Sequence, residues 1–177
     1  MKTPICAFDA KTGTLCSKCE AKLKSGHLSH ADVEASIKLS KLAEHNLDVN
    51  KFTLVNAFKI DEDFILLLRG TDILFLRRNK DLLKRVEQVF NNNVWLIEAE
   101  ASDRRFLENL FFPRKIITVN LVWLPDGNKV TKIIIARSKS DQQSLLSSAI
   151  TIEKIQKIAK LARNIELLVE FEQEEKE

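Results

Sequence analysis

The sequence predicts an α+β fold in which one order of elements, helix, strand, strand, helix, helix and strand, occurs twice after a short cysteine-bearing segment. Three observations support this prediction. Apolar residues alternate between the helical period and short strand-like runs, turn residues separate these runs, and all three cysteines lie within the first 19 residues. We therefore divide the chain into a segment 1–28, domains 29–101 and 102–172, and an acidic tail 173–177.

The composition is that of a globular protein, with 45% apolar and 30% charged residues in a chain of 177. No apolar run reaches the roughly 18 residues that a membrane span needs, and the N-terminus lacks a signal-peptide core, so we expect a soluble, cytoplasmic protein without a membrane partner. The sequence contains no P-loop, Rossmann glycine fingerprint, HExxH motif or nucleophile elbow. We therefore predict a non-enzymatic protein with no small-molecule substrate.

The N-terminal segment carries a pattern typical of a two-knuckle zinc site. Cys6, Asp9, Cys16 and Cys19 follow the spacing C-x2-D-x6-C-x2-C. Structural zinc prefers four tetrahedral ligands, mostly thiolate or imidazole, and accepts a carboxylate. We predict that these four residues bind a structural Zn²⁺, with His27 as the next candidate for the fourth ligand. A degenerate site that has lost its metal and a redox-active Cys16/Cys19 pair remain as alternatives.

The first repeat begins with a helix that Ser29 can cap. Two strands, at 52–60 and 64–68, follow it and are joined by the acidic turn Asp61-Glu62-Asp63. A short helix at 72–75 comes next. A second helix at 81–90 has apolar residues at the helical period and leads into a strand at 94–97.

A basic turn precedes that second helix. Arg77, Arg78 and Lys80 cluster at its expected start, and Lys84 lies one turn further on. Backbone N–H groups and cations meet at such a helix N-terminus, where a phosphate is attracted by both. We therefore expect these four residues to contact a nucleic-acid backbone.

Three stretches resemble the first KH domain of the NusA transcription factors in order and spacing. They are Leu83-Lys84-Arg85-Val86-Glu87, Val94-Trp95-Leu96-Ile97-Glu98 and Phe106-Leu107-Glu108-Asn109-Leu110-Phe111-Phe112-Pro113. The resemblance implies a type II KH topology, binding of single-stranded RNA through a Gly-x-x-Gly loop between two helices, and a role in transcription elongation or termination. Arg77 and Lys80 stand where that family has glycines. With its zinc-knuckle-like segment, the chain resembles small archaeal proteins of this kind.

The second repeat is a looser match to the tandem KH pair. We expect a helix at 102–112, strands at 116–124 and 130–136 around the turn Pro125-Asp126-Gly127-Asn128, helices at 141–148 and 152–163, and a strand at 165–171. The positions of the RNA-gripping loop fall on 149–152 or 151–154, and neither stretch has a glycine. Four cations follow as further candidate RNA contacts: Lys154, Lys157, Lys160 and Arg163.

Three functions are compatible with these features. The first is a single-stranded RNA-binding factor that acts in transcription and contacts RNA polymerase. The second is a ribosomal or ribosome-associated protein that binds rRNA. The third is a protein-interaction module whose KH domains no longer bind RNA. The sequence favours the first.

Overall fold

Two three-stranded sheets, each with helices from its own part of the chain, confirm the α+β class in this computed structural model. The structure describes residues 1–91, 93–125, 127–136 and 145–172, without the side chains of 145–150. Our predictions for Asp126, for residues 141–144 and for the tail 173–177 fall outside that part of the chain. The chain divides into unit 1, residues 1–102, and unit 2, which begins at Asp103. No helix among the described residues is long and apolar enough to cross a membrane.

Unit 1 contains the N-terminal segment and the first repeat. Its elements in chain order are α1 (Ala7–Thr12), α2 (Ser17–Lys24), α3 (His30–Glu44), a single 3-10 turn (Val49–Lys51), β1 (Leu54–Ile60), β2 (Asp63–Leu68), α4 (Gly70–Arg78), α5 (Lys80–Val89) and β3 (Val94–Glu98). The sheet order is β1-β2-β3, with β1 antiparallel and β3 parallel to β2. The helix predicted at 72–75 is observed as the longer helix α4. The bounds of the other predicted elements of this repeat agree with the observed ones to within a few residues.

The core of unit 1 forms where α3, α4 and α5 pack on the sheet. β2 is the central strand, and five of its six residues are buried. Since side chains of a strand alternate between the two faces of a sheet, both faces are shielded from solvent at this strand. Ile73 and Leu76 of α4 and Leu82 and Val86 of α5 enter the same apolar cluster. The junction between α4 and α5 lies outside this core, and the residues on either side of it, Arg78 and Lys80, are exposed.

A capping box starts α3. The Ser29 side chain accepts a hydrogen bond from the Asp32 N–H, and the Asp32 carboxylate accepts one from the Ser29 N–H. These bonds satisfy backbone donors that have no partner inside the helix. The predicted role of Ser29 as the cap is confirmed.

Unit 2 contains α6 (Asp103–Phe111), β4 (Ile116–Trp123), β5 (Lys129–Ile135), α7 (Leu145–Arg163) and β6 (Leu167–Phe171). The sheet order is β4-β5-β6, with β4 antiparallel and β6 parallel to β5. Ile133 and Ile135 of β5 are fully buried, as are Ile158 and Ala159 of α7. Within the described residues, both units therefore place a central strand between an antiparallel and a parallel neighbour.

The second repeat differs from the prediction in its last helix. We expected separate helices at 141–148 and 152–163, but residues 145–163 form the single helix α7. The expected break lay between Ser148 and Ile152, and Ser and Thr residues occur both at helix caps and inside helices. The stretch contains neither glycine nor proline, so nothing in it forces the helix to end. The positions 149–152 and 151–154 therefore lie inside a helix rather than in a loop between two helices.

Candidate metal centre and basic corner

Two short helices position the four predicted metal ligands. Cys6 is the N-cap of α1 and Asp9 lies in its first turn, while Cys16 is the N-cap of α2 and Cys19 lies in its first turn. In each pair the residues are three apart, so their side chains meet on one side of the helix start. The helix N-termini also favour negative charge at this place.

The four side chains converge closely enough to bind a metal ion. The three Sγ atoms and a carboxylate oxygen of Asp9 all lie within 4.8 Å of one another. Tetrahedral zinc with such ligands needs separations of roughly 3.3 to 3.8 Å between ligand atoms, so small side-chain movements close the site. His27, the alternative fourth ligand, is exposed and its Nδ1 lies 2.9 Å from Ser25 Oγ. The structure therefore groups Asp9, and not His27, with the cysteines.

The burial and hydrogen bonding of the Asp9 carboxylate indicate whether these four side chains fit a cation. Its side chain is completely buried. Oδ2 accepts a hydrogen bond from the Cys16 N–H at 3.0 Å, whereas Oδ1 is buried without a partner among the described residues. A buried carboxylate oxygen without a donor is costly, and a bound cation would remove that cost. The donor set, three sulfurs and one oxygen, therefore fits a metal.

The pKa shifts of Asp9 and of the buried thiol of Cys19 have opposite directions. The Cys16 N–H, followed by the nearby Cys19 thiol, lowers the pKa of Asp9 to about 2, so the carboxyl is ionised. A hydrogen bond from the Cys6 backbone lowers the pKa of Cys19, but the Asp9 side chain and burial outweigh it and raise that pKa to about 12. Without metal, Cys19 therefore keeps its proton, and a metal must displace it to bind.

The N-terminal segment also has apolar contacts of its own. Ile5, Ala10, Cys19 and Leu28 form a small buried cluster, against which Val33 and Ile37 of α3 and other partly buried residues pack. The neighbouring helix α3 therefore supplies much of the apolar surface on which this short segment packs.

The predicted RNA-contacting residues of unit 1 lie at the corner between α4 and α5. α4 ends at Arg78 and α5 begins at Lys80. The linking residue, Asn79, caps α5 because its Oδ1 accepts the Leu82 N–H at 3.1 Å. Arg78 and Lys80 are exposed and Arg77 is half-buried. We call residues 77–80 the basic corner.

The corner corrects one part of the sequence argument. We placed Arg77 and Arg78 at the start of a helix, where cations are unfavourable, but both lie in the last turn of α4. Cations stabilise a helix C-terminus, so local stability is a sufficient reason for these two arginines. Lys80, in the first turn of α5, still has no such reason, and Lys84 is exposed on the same helix.

Sequence reasoning missed three surface residues near this corner. Arg85 of α5 is exposed beside Lys84. Leu74 and Phe75 of α4 are 44% and 41% exposed. Both lie in the sequence between Ile73 and Leu76, which are buried, so the apolar run 73–76 does not by itself distinguish surface from core. The helical period separates the two pairs, because only Ile73 and Leu76 reach the sheet.

The candidate RNA contacts of unit 2 lie along α7 and do not form a corner. Lys154 and Lys157 are exposed. Lys160 forms an ion pair with Glu166. Arg163 pairs with Asp103 at 2.9 Å and lies over the Phe106 ring at 4.6 Å. Lys160 and Arg163 therefore bind acidic side chains of their own unit.

Comparison with known proteins identifies no family. No family model matches the sequence, and no curated protein matches it. Among solved structures, the crystal structure of APE1850 is similar to this chain at 16% identity, covering 76% of this chain and 95% of that one, with a TM-score of 0.47.

Proposed function

We propose that this protein is a non-enzymatic factor that binds single-stranded RNA through KH-like modules and is held together at its N-terminus by a structural zinc ion. The observation that carries the RNA-binding proposal is the basic corner. Exposed cations and the N-terminal N–H groups of a capped helix lie together there. A phosphate is the ligand that such a combination attracts.

The order of elements in unit 1 supports the KH-like interpretation. The helix α3 is followed by β1, β2, α4, α5 and β3, which is the order that the resemblance implies. The basic corner joins the two consecutive helices, where KH domains grip the RNA backbone. Because glycine is absent, side-chain cations replace close backbone approach at this corner. We expect such a clamp to bind phosphate strongly and to discriminate weakly between base sequences.

We further propose that the protein acts as a NusA-like factor in transcription elongation or termination, in the cytoplasm and in contact with RNA polymerase. This part rests on the resemblance in the three quoted stretches. Alternatively, the same RNA-binding surface binds rRNA, and the host complex is the ribosome. Crosslinking in cells, followed by identification of the bound RNA and the co-sedimenting complex, distinguishes polymerase from ribosome.

Features of unit 2 support a second role for the protein beside RNA binding, namely contact with another protein. α7 runs without a break through the positions where the resemblance places a loop, and Arg163 is engaged by Asp103 and Phe106. These features fit a module that contacts protein. In this arrangement unit 1 supplies most of the RNA affinity.

Zinc is the metal that we propose for Cys6, Asp9, Cys16 and Cys19. Three thiolates make a soft donor set, which excludes magnesium and calcium as preferred ions. When bound, the ion would be held by these four side chains and would join the starts of α1 and α2. In small zinc modules such binding contributes on the order of 10 kcal/mol to folding.

Salt dependence of RNA binding tests the proposed function. We expect the fluorescence anisotropy of a labelled single-stranded RNA to report an affinity that falls steeply with ionic strength. The slope of log K against log salt is expected to be roughly −0.7 for each phosphate contact. A protein-docking module without RNA-binding activity would show little affinity at any salt concentration, and that result would reject the proposal.

A further inference from the structure

The strand β4 forms an unusually open edge of the sheet in unit 2. Among the described residues β5 pairs with one side of β4 and no strand pairs with the other. β4 is eight residues long and has no charged side chain. Leu121 and Trp123 are 56% and 63% exposed on it. Natural sheets normally protect such an edge with charges, bulges or a covering element, and in β4 an irregularity interrupts the pairing only at its start, between Ile116 and Thr118.

The corresponding edge strand of unit 1, β1, is protected in several ways. The Ala57 N–H donates to Asp32 Oδ1 at 2.6 Å, and the Ala57 carbonyl accepts a hydrogen bond from Ser29 Oγ at 3.1 Å. The start of α3 therefore covers the open side of β1. Lys59 adds a charge to the same strand, and Lys2 pairs with Thr53 just before it.

Aligning the two units places neither protecting feature at the equivalent positions among the described residues of unit 2. Each edge strand has a register irregularity directly after its first residue, between Leu54 and Asn56 in β1 and between Ile116 and Thr118 in β4. This alignment places Val119 of β4 at the position of Ala57, and Leu121 at the position of Lys59.

The helices that precede these strands align in the same way. α3 begins at His30 and α6 begins at Asp103, so Arg105 takes the position of Asp32. A guanidinium has no acceptor for a strand N–H. At the position of the carboxylate that protects the edge in unit 1, unit 2 therefore has a cation.

The backbone groups on the open side of β4 can be identified from its pairing with β5. The Leu124 N–H donates to the Asn128 carbonyl at 2.9 Å. Because alternate residues of an antiparallel strand bond to the same side, the N–H and C=O groups of Val119, Leu121 and Trp123 point away from β5. The alignment also places Val119 at the position of Ala57, whose N–H and C=O groups bond to Asp32 and Ser29 rather than to a strand.

We propose that β4 pairs in antiparallel fashion with β4 of a second copy of this chain, about a two-fold axis at Asn120. In that register Val119 of each copy lies opposite Leu121 of the other. The pair exchanges the outward N–H and C=O groups, and the two sheets join into one. This arrangement is an isologous contact formed by strand addition.

Two properties of β4 favour a second copy over another occupant. Its apolar residues are arranged symmetrically about Asn120, with Ile117 and Val119 before it and Leu121 and Trp123 after it. A strand without charges also introduces no like-charge repulsion when it pairs with itself. An RNA chain, by contrast, would find no cation on β4 itself to neutralise its phosphates, and Lys129 of the neighbouring strand already lies over the Trp123 ring at 4.4 Å.

The variant Leu121→Lys tests this proposal, because it introduces at the edge the charge that unit 1 has at Lys59. The side chain is mostly exposed, so the variant should fold. We expect sedimentation velocity to show a concentration-dependent dimer for the wild-type protein and a dissociation constant at least about tenfold higher for the variant, a change of about 1.4 kcal/mol. The matched control is Leu168→Lys, which changes an exposed leucine on the opposite edge strand, β6, and should leave the dimer intact.

Amide hydrogen exchange supplies a second readout that locates the contact. We expect the N–H groups of Val119 and Leu121 to exchange more slowly as the protein concentration rises, and this effect to disappear in Leu121→Lys. A wild-type chain that stays monomeric throughout the micromolar range would overturn the proposal. A dimer that Leu168→Lys disrupts as strongly as Leu121→Lys would overturn it as well.

Discussion

Asp32 joins the start of α3 to the edge strand β1, because its Oδ1 atom accepts the Ala57 N–H at 2.6 Å. Its other oxygen accepts the Ser29 N–H at 2.8 Å and shares the single Ser29 hydroxyl hydrogen with the Ala57 carbonyl. One buried carboxylate therefore caps a helix and protects a sheet edge.

We predict that Asp32→Ala destabilises the protein by about 3 kcal/mol, since it leaves the buried Ala57 N–H without an acceptor and removes the capping bond to Ser29. The free energy of unfolding in urea measures this loss. Asp48→Ala is the control, because Asp48 forms only a solvent-exposed pair with Lys51, and its loss should change stability by less than about 0.5 kcal/mol. Equal effects of the two variants would show that the bond between Asp32 and Ala57 contributes little.

The metal centre gives a second prediction. Purified protein should contain one zinc ion per chain, and Cys16→Ser should lose the ion because a thiolate ligand is removed. Asp9→Asn should retain zinc more weakly, since a neutral amide oxygen replaces a carboxylate, and Asp9→Cys should retain it more tightly. Elemental analysis after dialysis against a chelator measures these differences. Glu20→Gln, an exposed change next to Cys19, should match the wild-type protein, and freshly prepared wild-type protein without zinc would remove this assignment.

The pH dependence of metal binding follows from the two shifted groups. The pKa of Asp9 is lowered from 3.8 to about 2. Ionised Asp9 therefore stabilises the metal-free fold above pH 3.8, and this contribution is lost as the pH falls through about 2. The pKa of Cys19 is raised to about 12, so this thiol must release a proton when metal binds at neutral pH.

We therefore predict that zinc affinity rises with pH over roughly pH 6 to 8, because protons leave the thiols on binding. Cys19→Ser should reduce the slope of log K against pH by about one proton. Asp9→Asn should lower the affinity but leave the slope unchanged, since Asp9 is already ionised across this range. Competition titrations with a zinc-sensitive dye at several pH values measure both quantities. A change of slope in Asp9→Asn would contradict the ionised state of Asp9.

Sequence patterns predicted unit 1 well because its signals are local. Ser29 starts a helix by its own side chain. The turn at 61–62 is tight enough to place Ile60 opposite Asp63. The spacing of Cys6, Asp9, Cys16 and Cys19 is also local, since a separation of three residues at a helix start determines which side chains meet.

The features that escaped prediction depend on contacts distant in sequence. Nothing near Asp32 indicates that its carboxylate reaches Ala57, 25 residues away. Arg163 looked like one of a row of surface cations until the fold brought Asp103 and Phe106 beside it. The continuity of α7 was missed for a different reason, since Ser and Thr are compatible with both a cap and a helix interior.

The basic corner gives a fourth prediction. Changing Arg77, Arg78 and Lys80 together to alanine should weaken binding of single-stranded RNA and reduce the magnitude of the salt slope by about 2, which corresponds to three lost phosphate contacts. Stability should change by less than about 1 kcal/mol. The two arginines stabilise the end of α4 while Lys80 opposes the dipole at the start of α5, so their effects partly cancel.

A second triple variant controls for net charge in that experiment. Lys18, Lys22 and Lys41 are exposed lysines far in sequence from the corner, and changing all three to alanine removes the same total charge. RNA affinity should then fall only slightly, through the loss of long-range attraction. If both triple variants lose the same affinity, the corner is no specific site and the protein binds RNA only through its overall charge.

The cations of α7 give the last prediction, because Arg163 is half-buried whereas Lys157 is exposed. Arg163→Ala removes an ion pair and a cation–π contact from a side chain that is 25% exposed, and should destabilise unit 2 by about 1 kcal/mol. Lys157→Ala should lower any RNA affinity that α7 supplies and should cost less stability than Arg163→Ala. Thermal unfolding and RNA anisotropy on both variants measure this difference. The opposite pattern, with weaker RNA binding in Arg163→Ala at unchanged stability, would mean that RNA competes with Asp103 for the guanidinium.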